Sequence, residues 1–250
     1  SDLTEAERTR DSHWLRQRPM EPRLRRSELI GGAAFLLAAG ALALLGGSDG
    51  FSLGTAAIYV LAIAVASNVR FDVGPGFTVP THAVFVPMLF ALPPAVVPLL
   101  VLPGLVLGMV PDVLRGRIAP SWLLTAPSNS WFALGPALVL VLAHDTDPNG
   151  QVEILVLALA AQFGVDFVAA AIRDRLFEES PSLTGLVREV APIYAIDFAL
   201  SLVGLIVAFA SASGYGQWPV ALIAPLFVLL WVFSKERQER LEQLVELNDA

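Results

Sequence analysis

Asp166 and Asp197 are carboxylates set inside long apolar runs, where an ionisable side chain is costly and is a functional suspect by default. Gln162, Asp166 and Arg173 recur at helical spacing on one face of their run. Tyr194, Asp197, Ser201 and Gly204, at offsets 0, 3, 7 and 10, share one face of the next run. A polar loop joins the two runs, so they are antiparallel and each aspartate lies in the half nearest that loop. The spacing predicts two polar faces meeting at matched depth. Two chemistries fit: pairing or hydrogen bonding with Arg70, Arg173 or Arg175 that ties the helices together, or a proton or ligand site. A second polar group, Thr78, Thr81 and His82, stands beside Pro80 at the start of another run. There His82 either titrates near neutral pH or hydrogen-bonds a carbonyl that the proline has freed. The candidate ligand-binding set is therefore Thr78, His82, Gln162, Asp166, Tyr194 and Asp197. Glu153, with His144, Asp145 and Asp147, makes a small acidic patch that reads as a solvated turn first and a weak cation site second.

Other chemistries are excluded by residue type. The chain has no cysteine, so disulfides, thiolate nucleophiles and cysteine-ligated zinc or iron–sulfur centres are impossible. Its three histidines, His13, His82 and His144, fall in the leading tail, at the start of the third run and at a turn on the far side, which rules out a joint metal site. Glu178-Glu179 lacks the arginine four residues on that a double-glutamate membrane protease needs, since Leu183 stands there. Gly214-Tyr215-Gly216 has neither the preceding Thr-Val nor the pore helix of a potassium filter. There is no nucleophile elbow and no phosphate loop. No enzymatic activity, cofactor, metal or nucleic-acid partner is expected of these residues.

The elements that must position these side chains are apolar. Of 250 residues 55% are hydrophobic, and mean hydropathy is +0.65, beyond what a soluble domain usually carries. Eight runs stand out, at about 28–46, 52–68, 77–92, 95–114, 122–143, 151–172, 191–212 and 217–233. Several reach the 17–25 residues needed to cross a bilayer. Threaded alternately from a cytoplasmic N-terminus, they put all 16 basic residues on one side. These are the tail arginines, Arg70, Arg115, Arg117, Arg173, Arg175, Arg188, and Lys235, Arg237 and Arg240 beyond the last run. The opposite turns, near Gly47–Phe51, Ala91–Pro94, His144–Gln151 and Ser211–Gln217, hold no Lys or Arg. Such one-sidedness is the positive-inside bias. It predicts an all-α, multi-pass inner-membrane protein of about eight spans with both termini cytoplasmic. Three parts follow: a basic tail at 1–27, a bundle at 28–233 and an exit helix at 234–250.

Between Gly74 and Pro136 stand eleven prolines. Each interior proline removes a backbone hydrogen bond, so broken helices are expected in spans three and four, either lining a cavity or only bending to pack. Pro93-Pro94 predicts a tight turn that makes these two spans a hairpin, and residues 121–127 are read as a half-buried segment. The last run continues without a breaker into Ser234–Ala250. Leu241, Leu244 and Asn248 there fall at heptad positions, and Glu236 and Arg240 form an i,i+4 pair. Two readings stay open: a homodimeric coiled coil through these residues, or a single amphipathic helix on the membrane. Starting at Ser1 and stopping in mid-pattern, the sequence is expected to be a fragment with a cytoplasmic domain beyond it.

The stretch Phe71-Asp72-Val73-Gly74-Pro75-Gly76-Phe77-Thr78-Val79-Pro80-Thr81-His82, the following Phe85-Val86-Pro87-Met88-Leu89-Phe90-Ala91-Leu92-Pro93, and the exit sequence Glu239–Ala250 carry a resemblance. They resemble the membrane-spanning N-terminal half of bacterial signalling proteins, common in actinobacteria, in which a cytoplasmic HD or HD-GYP phosphohydrolase or a GGDEF diguanylate cyclase domain follows such a helix. The resemblance implies a sensory or anchoring module for cyclic-nucleotide signalling, responding to an unknown small ligand or to the bilayer. It implies no ligand residues, and any catalysis would belong to a domain outside this chain. In general architecture the proline-broken bundle is also similar to the substrate-binding subunits of vitamin-uptake transporters, which makes small-solute transport the alternative.

Overall fold

A computed structural model of the chain describes residues 17–69, 71–73, 76–144, 147–177, 183–215 and 223. The described residues are helical apart from turns and one small hairpin. Eight helices follow in order: α1 (Pro22–Gly46), α2 (Leu53–Ala66), α3 (His82–Ala91), α4 (Val97–Leu114), the single turn α5 (Thr125–Ser128), α6 (Leu134–Ala143), α7 (Val152–Phe177) and α8 (Leu183–Ala210). Strands β1 (Phe71–Val73) and β2 (Gly76–Thr78) pair antiparallel between α2 and α3, with Phe71 opposite Thr78.

Among the described residues, five segments are long and apolar enough to cross a membrane: Pro22–Gly46, Pro94–Leu114, Pro120–Ala143, Val152–Arg173 and Val190–Gly214. Large apolar side chains stand exposed along them, among them Leu37, Leu44 and Leu45 on α1, Val156 and Val168 on α7, and Ile206 on α8. Water would penalise such a surface and lipid does not. The chain is a multi-pass membrane protein.

Among the described residues, five of the eight expected runs reach spanning length, and the others differ. The second and third runs form helices of only 14 and 10 residues, short of the ~20 a span needs. α2 is stopped by its own side chains: Ser67 Oγ donates to Ile63 O at 2.8 Å and Asn68 Nδ2 to Ala64 O at 2.7 Å. It begins on Ser52, whose hydroxyl accepts the Thr55 amide. α3 is bounded by Pro80 and Pro93, and nearly all of it is buried in protein, where a short helix is tolerated at membrane depth. The fourth run is not broken. α4 continues through Pro103 and Pro111, while the break falls in the fifth run, which passes through a 3-10 turn (Pro120–Leu124), α5, a second 3-10 turn (Trp131–Ala133) and α6. The first helix starts at Pro22, a proline at the first helical position, so it takes in Arg23, Arg25 and Arg26 from the stretch assigned to the tail. Residues 217–233, except the buried Ile223, and the exit helix lie outside the described residues.

Glycines set the packing. Gly104 and Gly108 of α4 form a small-xxx-small pair against α2. A Cβ on Gly104 would lie 2.7 Å from Ile63 Cγ2, and one on Gly108 would lie 2.6 Å from Ser67 Cβ. The Pro93-Pro94 turn does join α3 to α4, but α4 packs chiefly on α2, and α3 chiefly on α8. The bundle has two distinct ends. At one, Trp122 Nε1 donates to Arg18 O and Met20 N to Ser121 Oγ, which brings the start of α1 beside the turn after Arg115 and Arg117. Arg173, near the end of α7, reaches Glu28 of α1 at the same end. At the other, Gly46 lies against Ala95 and Val141. The described basic residues gather at the first end, and the turns at the second carry none.

Candidate functional site

The site lies where α3, α7 and α8 meet. Gly204 on α8 lets that helix close onto the first turn of α3: a Cβ there would stand 3.0 Å from the carbonyl oxygens of His82 and Ala83. The Ala83 carbonyl is the one Pro87 leaves without its helical N–H partner. This approach brings His82 against Asp197, seven residues earlier on α8. The His82 Nδ1 and Asp197 Oδ1 atoms are 3.5 Å apart, both side chains almost wholly buried. At that separation the contact is electrostatic: the buried His82 Nδ1 makes no hydrogen bond.

One turn further along α8, Ser201 serves two groups at once. Its hydroxyl donates to the Asp197 carbonyl at 2.8 Å and accepts from Gln162 Nε2 of α7 at 3.0 Å. Gln162, Asp197 and Ser201 are all buried. One turn in the other direction, Tyr194 Oη donates to Asp166 Oδ2 at 2.8 Å, a second bridge between α8 and α7. The two bridges sit four residues apart on α7 and seven apart on α8, in opposite chain directions, as antiparallel neighbours require. Aromatic rings pack round them. Phe163 lies 5.2 Å from the Tyr194 ring and 6.4 Å from the His82 ring, and Phe132 lies 4.7 Å from His82. Asp166 is seven residues from Arg173, about 10 Å along the helix from the basic end.

Five of the six candidate residues are thus brought together: His82, Gln162, Asp166, Tyr194 and Asp197. The two polar groups read separately from the sequence are one cluster. Thr78 joins β2 through its backbone, opposite Phe71, and its side chain lies outside what is described. Thr81 is buried beside His82, with its hydroxyl 3.5 Å from Val79 O. Of the arginines anticipated as partners of the aspartates, Arg70 lies outside the described residues. Arg173 lies 3.8 Å from Glu28 and donates to Asn129 Oδ1 at 3.1 Å, while Tyr194 and His82 face the aspartates. Of the acidic patch, Glu153, His144 and Asp147 are exposed and Asp147 accepts from the Asn149 amide, while Asp145 lies outside the described residues.

Ser201 is on the polar face read from the sequence, though outside the candidate ligand-binding set. Phe132 and Phe163 carry no polar signal, and only the fold places them. Among the described residues no group of three or more His, Asp or Glu converges as a metal site. The Ser201 hydroxyl is committed to a backbone carbonyl and a glutamine, so it has no base beside it to make it a nucleophile. The arrangement can hold a proton, or a small polar group, between α3 and α8, and can transmit that occupancy to their packing.

No known family matches this chain, and neither does any curated protein or solved structure.

Proposed function

We propose that this chain is a sensory or anchoring module of a bacterial inner membrane, with both termini cytoplasmic, whose buried cluster receives the signal. A proton or a small polar ligand occupies the space between His82 and Asp197, α3 shifts against α8, and the displacement passes beyond α8 to the exit helix at 234–250. There a second copy, paired through Leu241, Leu244 and Asn248, carries it to a cytoplasmic signalling domain of the phosphohydrolase or cyclase kind. One observation carries the reading: a buried imidazole nitrogen with no hydrogen bond, facing a carboxylate across two helices. An unmet buried polar atom costs about 1–3 kcal/mol, and a structural clamp would have closed the gap. The one-sided basic residues support the orientation.

Transport of a small solute is the second reading, favoured by the acidic cluster at membrane depth and the interrupted fifth segment. Reconstitution separates them. The full chain goes into proteoliposomes with a trapped pH dye, alongside Asp197→Asn and Asp166→Asn variants. The sensory reading expects all three to hold an imposed proton gradient equally. A gradient that collapses through the native chain, and is restored by Asp197→Asn, assigns the cluster to transport.

A further inference from the structure

A groove runs down the outside of the bundle between α1, α5 and α7, separate from the polar cluster, and encloses about 550 Å³. That is within the usual range of ligand sites, about 300–1,000 Å³. Its α7 wall is one helical stripe, every third or fourth residue from Ala161 to Arg173, all small or aliphatic until the last. Twelve residues of helix span about 18 Å, close to one leaflet of a bilayer whose hydrocarbon is about 30 Å thick. The facing wall climbs α1 from Ser27 to Ala34, with Trp131 alongside. Ile30, Val168 and Ile172 on its rim are more than half exposed, so the groove opens sideways toward lipid.

Its polar groups sit at one end only. Ser27 Oγ, Ser128 Oγ and the Arg173 guanidinium close the mouth at the basic end of the bundle. Ser128 donates to Glu28 O at 3.1 Å. Ser27 is 7% exposed, and its hydroxyl is buried without a hydrogen-bond partner. Arg173 uses Nη1 on Asn129 and lies 3.8 Å from Glu28, which leaves most of its five N–H donors for another acceptor. Glu28 lies behind the mouth and offsets part of the charge, but the exposed Arg23, Arg25 and Arg26 precede Ser27 on the same helix.

We propose that this groove binds one anionic phospholipid of the leaflet on the basic side. One acyl chain lies along the α7 stripe, and the headgroup phosphate accepts hydrogen bonds from Arg173 and Ser27. The proposal does not depend on the sensory reading.

The test counts lipid. The full chain is reconstituted in nanodiscs of equal phosphatidylglycerol and phosphatidylcholine, re-extracted into detergent, and the retained phospholipid measured by mass spectrometry. The native chain should keep about one phosphatidylglycerol per copy in preference to phosphatidylcholine. Arg173→Gln should reduce that preference about fivefold, the effect of one basic group near an anionic headgroup. Gly164→Trp, at an exposed position with open space above it, should fill the groove and abolish retention without lowering the melting temperature. Ala34→Trp on the opposite wall gives the same readout should Gly164→Trp fold poorly. Absence of retained lipid in the native chain overturns the proposal, as does retention unchanged by filling the groove. Equal retention of both lipids overturns the anionic headgroup. Cross-linking of Ile30→Cys to residues 217–233, with no lipid retained, assigns the groove to the protein's own last apolar run and also overturns it.

Discussion

Ser201 shows how closely the cluster is accounted for. A hydroxyl has one proton and two lone pairs; here the proton goes to the Asp197 carbonyl and a lone pair receives Gln162. Tyr194 and Asp166 form an equally direct pair. Hydrogen bonds between membrane helices are worth about 0.6 kcal/mol on average and rarely more than about 1.7. A double-mutant cycle of Tyr194→Phe and Asp166→Ala, followed by reversible unfolding in mixed micelles, should give a coupling in that range. Strictly additive losses would mean that the two side chains do not interact. This part of the site was legible in the sequence because helical spacing alone put Gln162 with Asp166 and Tyr194 with Asp197 and Ser201. The arrival of His82 was not legible. It depends on a glycine 122 residues away leaving room for a carbonyl, and nothing near His82 announces that. Glu28, at the start of the first apolar run, is buried behind Arg173, which nothing in its neighbouring sequence indicates.

Among the elements, close helix approach decides where the side chains go. Gly135 at the start of α6 has the tightest contact: a Cβ there would lie 2.2 Å from the Ala161 carbonyl oxygen of α7, a backbone atom that cannot swing aside. Gly40 in the middle of α1 meets nothing within 4 Å. Gly135→Ala should therefore destabilise by roughly 1–3 kcal/mol, as overpacking does. Gly40→Ala should be neutral or stabilise by up to about 1 kcal/mol, because alanine restricts the unfolded chain and favours helix. Thermal unfolding in one detergent compares the two, and equal effects would contradict the packing described for α6 on α7. Hydropathy located the long helices well. It overstated α2 and α3, because an apolar run does not reveal that Ser67 and Asn68 turn back onto their own helix, or that α3 is enclosed by protein. Proline density pointed to breaks in the third and fourth runs; the third is interrupted at Pro80 and the half-buried segment 121–127 is there, but the fourth is continuous. α4 absorbs Pro103 and Pro111 without interruption, and the fifth run breaks where its Ser and Trp side chains bond to α1.

For the whole molecule, the segregation of described basic side chains at one end, the apolar side chains exposed between the ends and the polar cluster buried among α3, α7 and α8 describe a membrane bundle with an ionisable cluster in its interior. That locus joins helices that come from opposite halves of the chain, which is what a signal-receiving element needs. The central claim is that the state of His82 and Asp197 is felt at the exit helix. The absence of cysteine makes this directly measurable. With Leu244→Cys as the only thiol, disulfide cross-linking between copies is followed in native membranes, alone and combined with Asp197→Asn or His82→Gln. The account predicts that the copies cross-link and that either cluster substitution changes the yield while leaving membrane insertion intact. A yield identical in all three proteins, or no cross-link in any of them, would contradict it.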